Sequence, residues 1–230
     1  MSTEVNLIIE FCKTNLDLRN PPKPSEYSYD NLPLCVIDAV FSIGVNYAAT
    51  RNTVERFRNY LQNPESGVDY HITGESFSIS EFVKIQKRLG YEWMARVVYK
   101  NKQRTSSRNG ILKAEAVTRF SEVLQNYKIE FFKDVRKTEN LEPFKLHILA
   151  IPGQGSGLSL RYFYMLAGYE NLIKPDRMIR RFLQAILGRE PNEDECQELL
   201  EEASELLGQH FPGITPRTLD NMIWSYQRKK

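Results

Sequence analysis

"LHILAIPGQGSGLSLRYFYMLAGYENLIKPDRMIRRFL" occupies residues 146–183. Pro152, Gly153, Gly155 and Gly157 separate two apolar runs of helical period. Proline and glycine end helices, so the stretch reads as helix, tight turn, helix. Pro175 makes a further break, and Asp176 behind it is a natural cap for a third helix. Glycines at 153 and 155 let a ligand approach the main chain closely, and the start of the following helix offers free N–H groups suited to an anion. Taken alone, the stretch is first a tight helix–helix turn with glycine C-caps and second a phosphate site. A P-loop is excluded because no GK[ST] follows, and a dinucleotide GxGxxG because no strand precedes it.

The chain on either side is helical too. Residues 4–17 form a short helix, and "NPPKPSEYSYDNLP" (20–33) is an extended connector. "LCVIDAVFSIGVNYAATRNTVERFRNYLQ" (34–62) gives an apolar helix over 34–43, a turn around 42–47, and an amphipathic helix carrying Val54, Phe57 and Leu61. Residues 63–78 read as loop, with Ser80 capping a helix over 81–89 and another helix over 91–99. "KNKQRTSSRNG" (100–110) has basic residues and neither acidic nor apolar ones, which predicts a mobile basic loop. Helices follow over 111–127, 142–151 and 177 onward, then over "NEDECQELLEEASELLGQHF" behind Asn192. The last is "TPRTLDNMIWSYQRKK", with Thr215 as cap and Pro216 in its first turn. No alternating apolar pattern persists, so the class is all-α with ten to twelve helices.

Composition narrows the setting. The 230 residues suffice for one large domain or two lobes. A net charge of +2 does not by itself argue for nucleic acid. Cys12, Cys35 and Cys196 are scattered and odd in number, which excludes a four-cysteine iron–sulfur cluster and argues for a reducing cytosol without disulfides. Glu4 and Glu10 interrupt the apolar start, so no signal peptide is expected, and no run approaches the ~18 apolar residues of a membrane span. His71, His147 and His210 show no metal-ligand spacing.

The hairpin Ile151-Pro152-Gly153-Gln154-Gly155, with Asp176 opening the next helix but one, resembles the helix–hairpin–helix segment of the HhH-GPD superfamily of base-excision DNA glycosylases. That family shows an L-P-G-[VI]-G hairpin and, about twenty residues on, an essential aspartate. "IDAVFSIGVNYAATRNTVERFRNYL" is similar to its first barrel helices. "NGILKAEAV" resembles a later barrel helix, and "ITPRTLDNMIWSYQ" the closing helix of the alkylated-base branch. The resemblance covers roughly residues 30–230, in patches. Gln154 departs from the family's small apolar residue at that hairpin position.

The resemblance implies a two-lobed helical fold. Residues 33–165 would form a six-helix barrel lobe with the hairpin near 146–163, and residues 1–32 with 166–230 the second lobe. It implies a monofunctional DNA glycosylase that flips a damaged base out of double-stranded DNA and hydrolyses its glycosidic bond. The nearest branch of that superfamily is the one that acts on alkylated bases. Asp176 would be the catalytic carboxylate, although aspartate at a helix start is also an ordinary cap. Gly153, Gln154, Gly155, Ser156, Gly157 and Arg177 would contact DNA, chiefly through main-chain amides of the glycines on phosphate. Further basic residues over 100–108 and at Arg180 and Arg181 would add electrostatic grip.

Asn46 and Tyr47, in the turn between the first barrel helices, would be wedge or pocket residues. Other available aromatics are Trp93, Tyr162, Tyr164 and Trp224, most of them expected in the core. Carbonyls of Leu149, Ile151 and Gln154 would receive a structural Na+ or K+, with no other cofactor required. Gly157 stands where strand-cleaving relatives carry their lysine, and Lys113 and Lys174 lie elsewhere, so no lyase activity is implied. A monomer in the cytoplasm or nucleoid, or in the nucleus of a eukaryote, completes the expectation. The alternatives are a non-catalytic hairpin protein that binds DNA, and a helical domain with no nucleic-acid role.

Overall fold

The computed structural model describes residues 3–23, 28–68 and 74–229; His71 and parts of the 20–33 connector and the 63–78 loop lie outside them. Among the described residues there are twelve α-helices and no strand, so the chain is all-α. The helices are α1 (Thr3–Asn15), α2 (Leu32–Phe41), α3 (Tyr47–Gln62), α4 (Ile79–Leu89), α5 (Tyr91–Trp93) and α6 (Lys113–Asn126). They continue with α7 (Phe132–Val135), α8 (Glu142–Leu149), α9 (Leu158–Leu166), α10 (Arg177–Leu187), α11 (Glu193–Gly208) and α12 (Pro216–Arg228). None is long and apolar enough to cross a membrane.

The chain divides into two compact units, Met1–Ser28 with Gly168–Lys230, and Tyr29–Ala167. In the first, α1, α10, α11 and α12 pack on one another. Its core joins Val5, Ile8 and Cys12 of α1 to Phe182 and Leu183 of α10, Leu200 of α11 and Ile223 of α12. Phe11, half-buried, meets the rings of Phe182 and Tyr226 edge-on at 5.3 and 5.8 Å. In α11 the capping box places the Asn192 side chain on the amides of Asp194 and Glu195 while Glu195 accepts from the Asn192 amide.

The second unit is organised around α2, which packs on α3, α4, α6 and α9. Every residue from Leu32 to Phe41 is buried, as an apolar sequence on all faces dictates. Asn31 caps its start by accepting from the Leu34 amide at 3.2 Å. At its end Lys113 Nζ donates to the carbonyls of Phe41 and Ile43 at 2.9 and 2.7 Å. A cation on the terminal carbonyls satisfies groups that a helix leaves open and complements its dipole.

Three local expectations are corrected. The cap of α4 is Ser78 rather than Ser80: Ser78 and Glu81 form the capping box, and Ser80 instead donates to Glu130. The helix expected over 91–99 is the three-residue α5 followed by a π-helical turn over Met94–Val98. The basic stretch 100–110 is held at several points rather than loose. Thr105 N donates to Ile111 O at 2.9 Å and Lys113 N to Gln103 O at 2.8 Å, forming an isolated bridge between Arg104 and Leu112. Arg104 Nη1 also donates to Gly110 O at 2.7 Å.

Candidate functional site

Between α8 and α9 the chain makes two successive β-turns. Gln154 N donates to Ile151 O, and Gly157 N to Gln154 O, each at 2.9 Å. The first has Pro152 and then Gly153 at φ +86°, the arrangement that a type II turn requires. Gly153 is needed twice over. A Cβ there would lie 2.3 Å from Thr105 Cβ, so the basic stretch is seated directly on the turn. Gly157, at φ +75°, caps α9 without any side-chain bond.

This geometry decides what the hairpin offers a ligand. Gly153, Gly155 and Ser156 are exposed, and among the described residues their amides donate to no protein acceptor. The Gly157 amide, expected to face phosphate, is engaged by the Gln154 carbonyl. Gln154 itself is only 3% exposed, and its Oε1 accepts from the Ser159 hydroxyl. Its side chain is therefore directed inward, and its amide is engaged by Ile151 O, so Gln154 offers phosphate no open donor. Of the carbonyls expected to hold a cation, those of Ile151 and Gln154 already accept one amide each, and Leu149 O lies 3.9 Å from a Cβ placed on Gly155.

Asp176 caps α10 with one oxygen. Oδ1 accepts from Met178 N at 2.7 Å and Ile179 N at 3.3 Å, whereas Oδ2 has no partner among the described residues. The residue is half-buried. A second carboxylate, which the sequence reading missed, lies close by. Asp220, on α12, is 9% exposed and accepts from the Lys174 amide at 2.9 Å. Burial pushes its pKa up to about 7, and the negative charge of Asp176 adds to the rise, while the Lys174 amide and the charges of Lys174 and Arg217 oppose it. The sequence signal was a lone acid beside the apolar face of Leu219, Met222 and Ile223. Arg177 and Arg181 are exposed and without an ion pair among the described residues, whereas Arg180 pairs with Glu190 at 2.6 Å.

Asn46 is exposed and caps α3, accepting from Ala48 N at 2.9 Å. Tyr47, half-buried, belongs to a group that the sequence did not reveal. Its hydroxyl donates to Asp38 Oδ2 at 3.2 Å, and the hydroxyl of Tyr29 donates to the same oxygen at 2.7 Å. The Tyr162 hydroxyl hydrogen-bonds to that of Tyr47. Asp38 is 0% exposed, the one charged residue in an otherwise apolar helix. Burial first, and the Asp38 charge second, hold the phenols of Tyr29, Tyr47 and Tyr162 protonated well above the usual tyrosine range. The available signal was that lone aspartate, because a buried charge must find donors. Trp93 and Trp224 are half-buried, Trp93 against Tyr60 and Trp224 under the Arg228 guanidinium at 4.7 Å.

Residues 6–228 match the model of a protein family described as a domain of unknown function, DUF8548, and the chain belongs to that family. No curated protein and no solved structure matches it.

Proposed function

We propose that this member of a family of unknown function is a monofunctional DNA glycosylase that removes a damaged, alkylated base, in a two-lobed helical fold of HhH-GPD type. The observation that carries the reading is the Asp176 carboxylate, which caps α10 with one oxygen and keeps the other open. The hairpin upstream supports it with three exposed amides that lack protein acceptors, which suits phosphate.

In the reaction the bond between C1′ and the base nitrogen breaks, and its electron pair leaves with the base. A cationic alkylated purine departs as a neutral molecule and needs no acid. Positive charge develops on the sugar, where Asp176 Oδ2 would stabilise it. Water adds to C1′, and its proton passes to the carboxylate or to solvent. Tyr47 and Asn46 would line the base pocket. The monofunctional reading is supported by Gly157, where strand-cleaving HhH-GPD proteins carry their lysine, and by Lys113 Nζ being engaged with two carbonyls.

The test is base release. Purified protein is incubated with duplexes carrying an alkylated purine, uracil, hypoxanthine or 8-oxoguanine, then treated with alkali to reveal abasic sites. The expected result is release of the alkylated purine, with loss of about 100-fold or more in Asp176→Asn at unchanged DNA affinity. Binding that falls with salt, without release from any duplex, would replace the enzyme by a non-catalytic DNA-binding protein. Nicking without alkali would overturn the monofunctional assignment.

A further inference from the structure

A cavity of about 670 Å³ opens in the Tyr29–Ala167 unit beside the π-helical turn. Its volume falls within the range of small-molecule sites. It shares no lining residue with the hairpin or with the Asp38 group. Tyr91, Trp93, Arg96 and Lys102 line it, together with Glu92 and an apolar floor that includes Leu112.

The wall is built from two departures from regular helix. The five-residue turn Met94–Val98 closes with Tyr99 N donating to Met94 O at 2.8 Å. Immediately afterwards Lys100 takes a left-handed conformation, φ +47°, which is costly for a residue with a Cβ. Two bonds from the Arg56 guanidinium, to Tyr99 O at 3.0 Å and Lys100 O at 3.3 Å, hold the segment in place. Single π-turns inside helices concentrate at functional sites.

The side chains define the ligand. Arg96 and Lys102 are exposed, and neither forms an ion pair among the described residues. Glu92 is the single acid on the wall, so the two cations outnumber it. Tyr91 is 39% exposed, a large ring left to water, and Trp93 is fixed edge-on to Tyr60 at 6.2 Å. A plain anion would have no use for the aromatic surfaces, and an uncharged aromatic molecule none for the cations. A base carrying a phosphate uses both: the ring stacks while guanidinium and ammonium meet the phosphate. We propose that this cavity binds a nucleoside phosphate, supplied either as a free nucleotide or as an unpaired nucleotide of a single strand. The proposal is independent of the glycosylase reading.

Trp93 reports on its own site. The chain has two tryptophans, so Trp224→Phe leaves Trp93 as the fluorophore. That variant is titrated with deoxyadenosine 5′-monophosphate, oligodeoxyadenylate, deoxyadenosine and inorganic phosphate. Quenching by the monophosphate is expected, with the nucleoside and the phosphate alone each roughly tenfold weaker. Arg96→Gln and Lys102→Gln should each weaken binding about five- to tenfold. Binding of the oligonucleotide alone would assign the ligand to a strand; binding of both with equal affinity per site would assign it to a free nucleotide. No quenching by either up to millimolar concentration, or quenching that both variants leave unchanged, would overturn the proposal.

Discussion

Asp38 and Asp220 are both buried carboxylates, each in one of the two units, and their surroundings treat them in opposite ways. Asp38 sits in the apolar α2 and takes phenol hydroxyls from Tyr29 and Tyr47 on one oxygen. These donors carry no charge, and burial keeps them protonated far beyond neutral pH. Asp220 has a backbone amide from Lys174 and a neighbouring carboxylate at Asp176, so its proton equilibrium moves into the neutral range. A buried carboxylate takes its character from the groups packed around it. Asp38 is met by phenol hydroxyls that stay protonated, whereas Asp220 has a second carboxylate beside it whose charge favours its protonated form.

The contrast breaks first at Asp38. Asp38→Ala removes the buried acceptor shared by the half-buried Tyr29 and Tyr47. Each unsatisfied buried donor costs about 1–3 kcal/mol, and the cavity adds to it, so a loss of roughly 4 kcal/mol in unfolding free energy is expected. Urea denaturation monitored by circular dichroism measures it. A loss under about 1 kcal/mol would mean that the phenols find other partners and that Asp38 is not a fixed point.

Why Asp38 was missed bears on what a sequence discloses. The all-α class was legible because amphipathic period and caps act locally: Asn192, Thr215 and Asp176 all cap the helices expected of them. The turn at Gly153 was legible for the same reason. What stayed hidden depends on partners distant in sequence. Tyr162 lies more than a hundred residues from Asp38, and no periodicity announces their meeting. Thr105 against Gly153 and Lys113 on the end of α2 are of that kind, and the first seats a stretch that was expected to be mobile. Gln154 read as an anomaly in the hairpin until Ser159 supplied its donor. In the candidate site, Asp176 was legible as a cap, whereas Asp220 needed the fold to bring α12 against residue 174.

Asp220 is the carboxylate of the two whose effect on stability varies with pH. Its folded pKa, about 7, lies above the ~3.9 of an unfolded aspartate. The folded state therefore holds more protons between these values, and stability falls as pH rises through that window. The contribution is fully present below about pH 4 and lost above about pH 7. Asp220→Asn cannot titrate, so the gap between variant and wild type should shift in favour of the variant by on the order of 3 kcal/mol from pH 4 to pH 8. Paired urea titrations at the two pH values read this shift directly. Parallel pH profiles for the two proteins would show that Asp220 does not change protonation in this window on folding.

The smallest effect separates the two phenols that share Asp38 Oδ2. Tyr29 donates at 2.7 Å and Tyr47 at 3.2 Å, and the Tyr47 hydroxyl is also met by Tyr162. The shorter bond to a charged acceptor is the stronger. Tyr29→Phe should cost about 1.5 kcal/mol and Tyr47→Phe about 0.5–1 kcal/mol, since the Tyr162 hydroxyl remains near the acceptor when Tyr47 loses its own. Both variants keep the ring, so packing is unchanged and the difference reports on the hydrogen bond. Tyr47 is also the proposed pocket residue, which gives its variant a second readout. A pocket that works by ring stacking predicts base release retained in Tyr47→Phe and lost in Tyr47→Ala, while Tyr29→Phe leaves release unchanged. If the two phenylalanine variants lose equal stability and neither affects release, the phenols are interchangeable donors and Tyr47 belongs to the structural side of the comparison with Asp38.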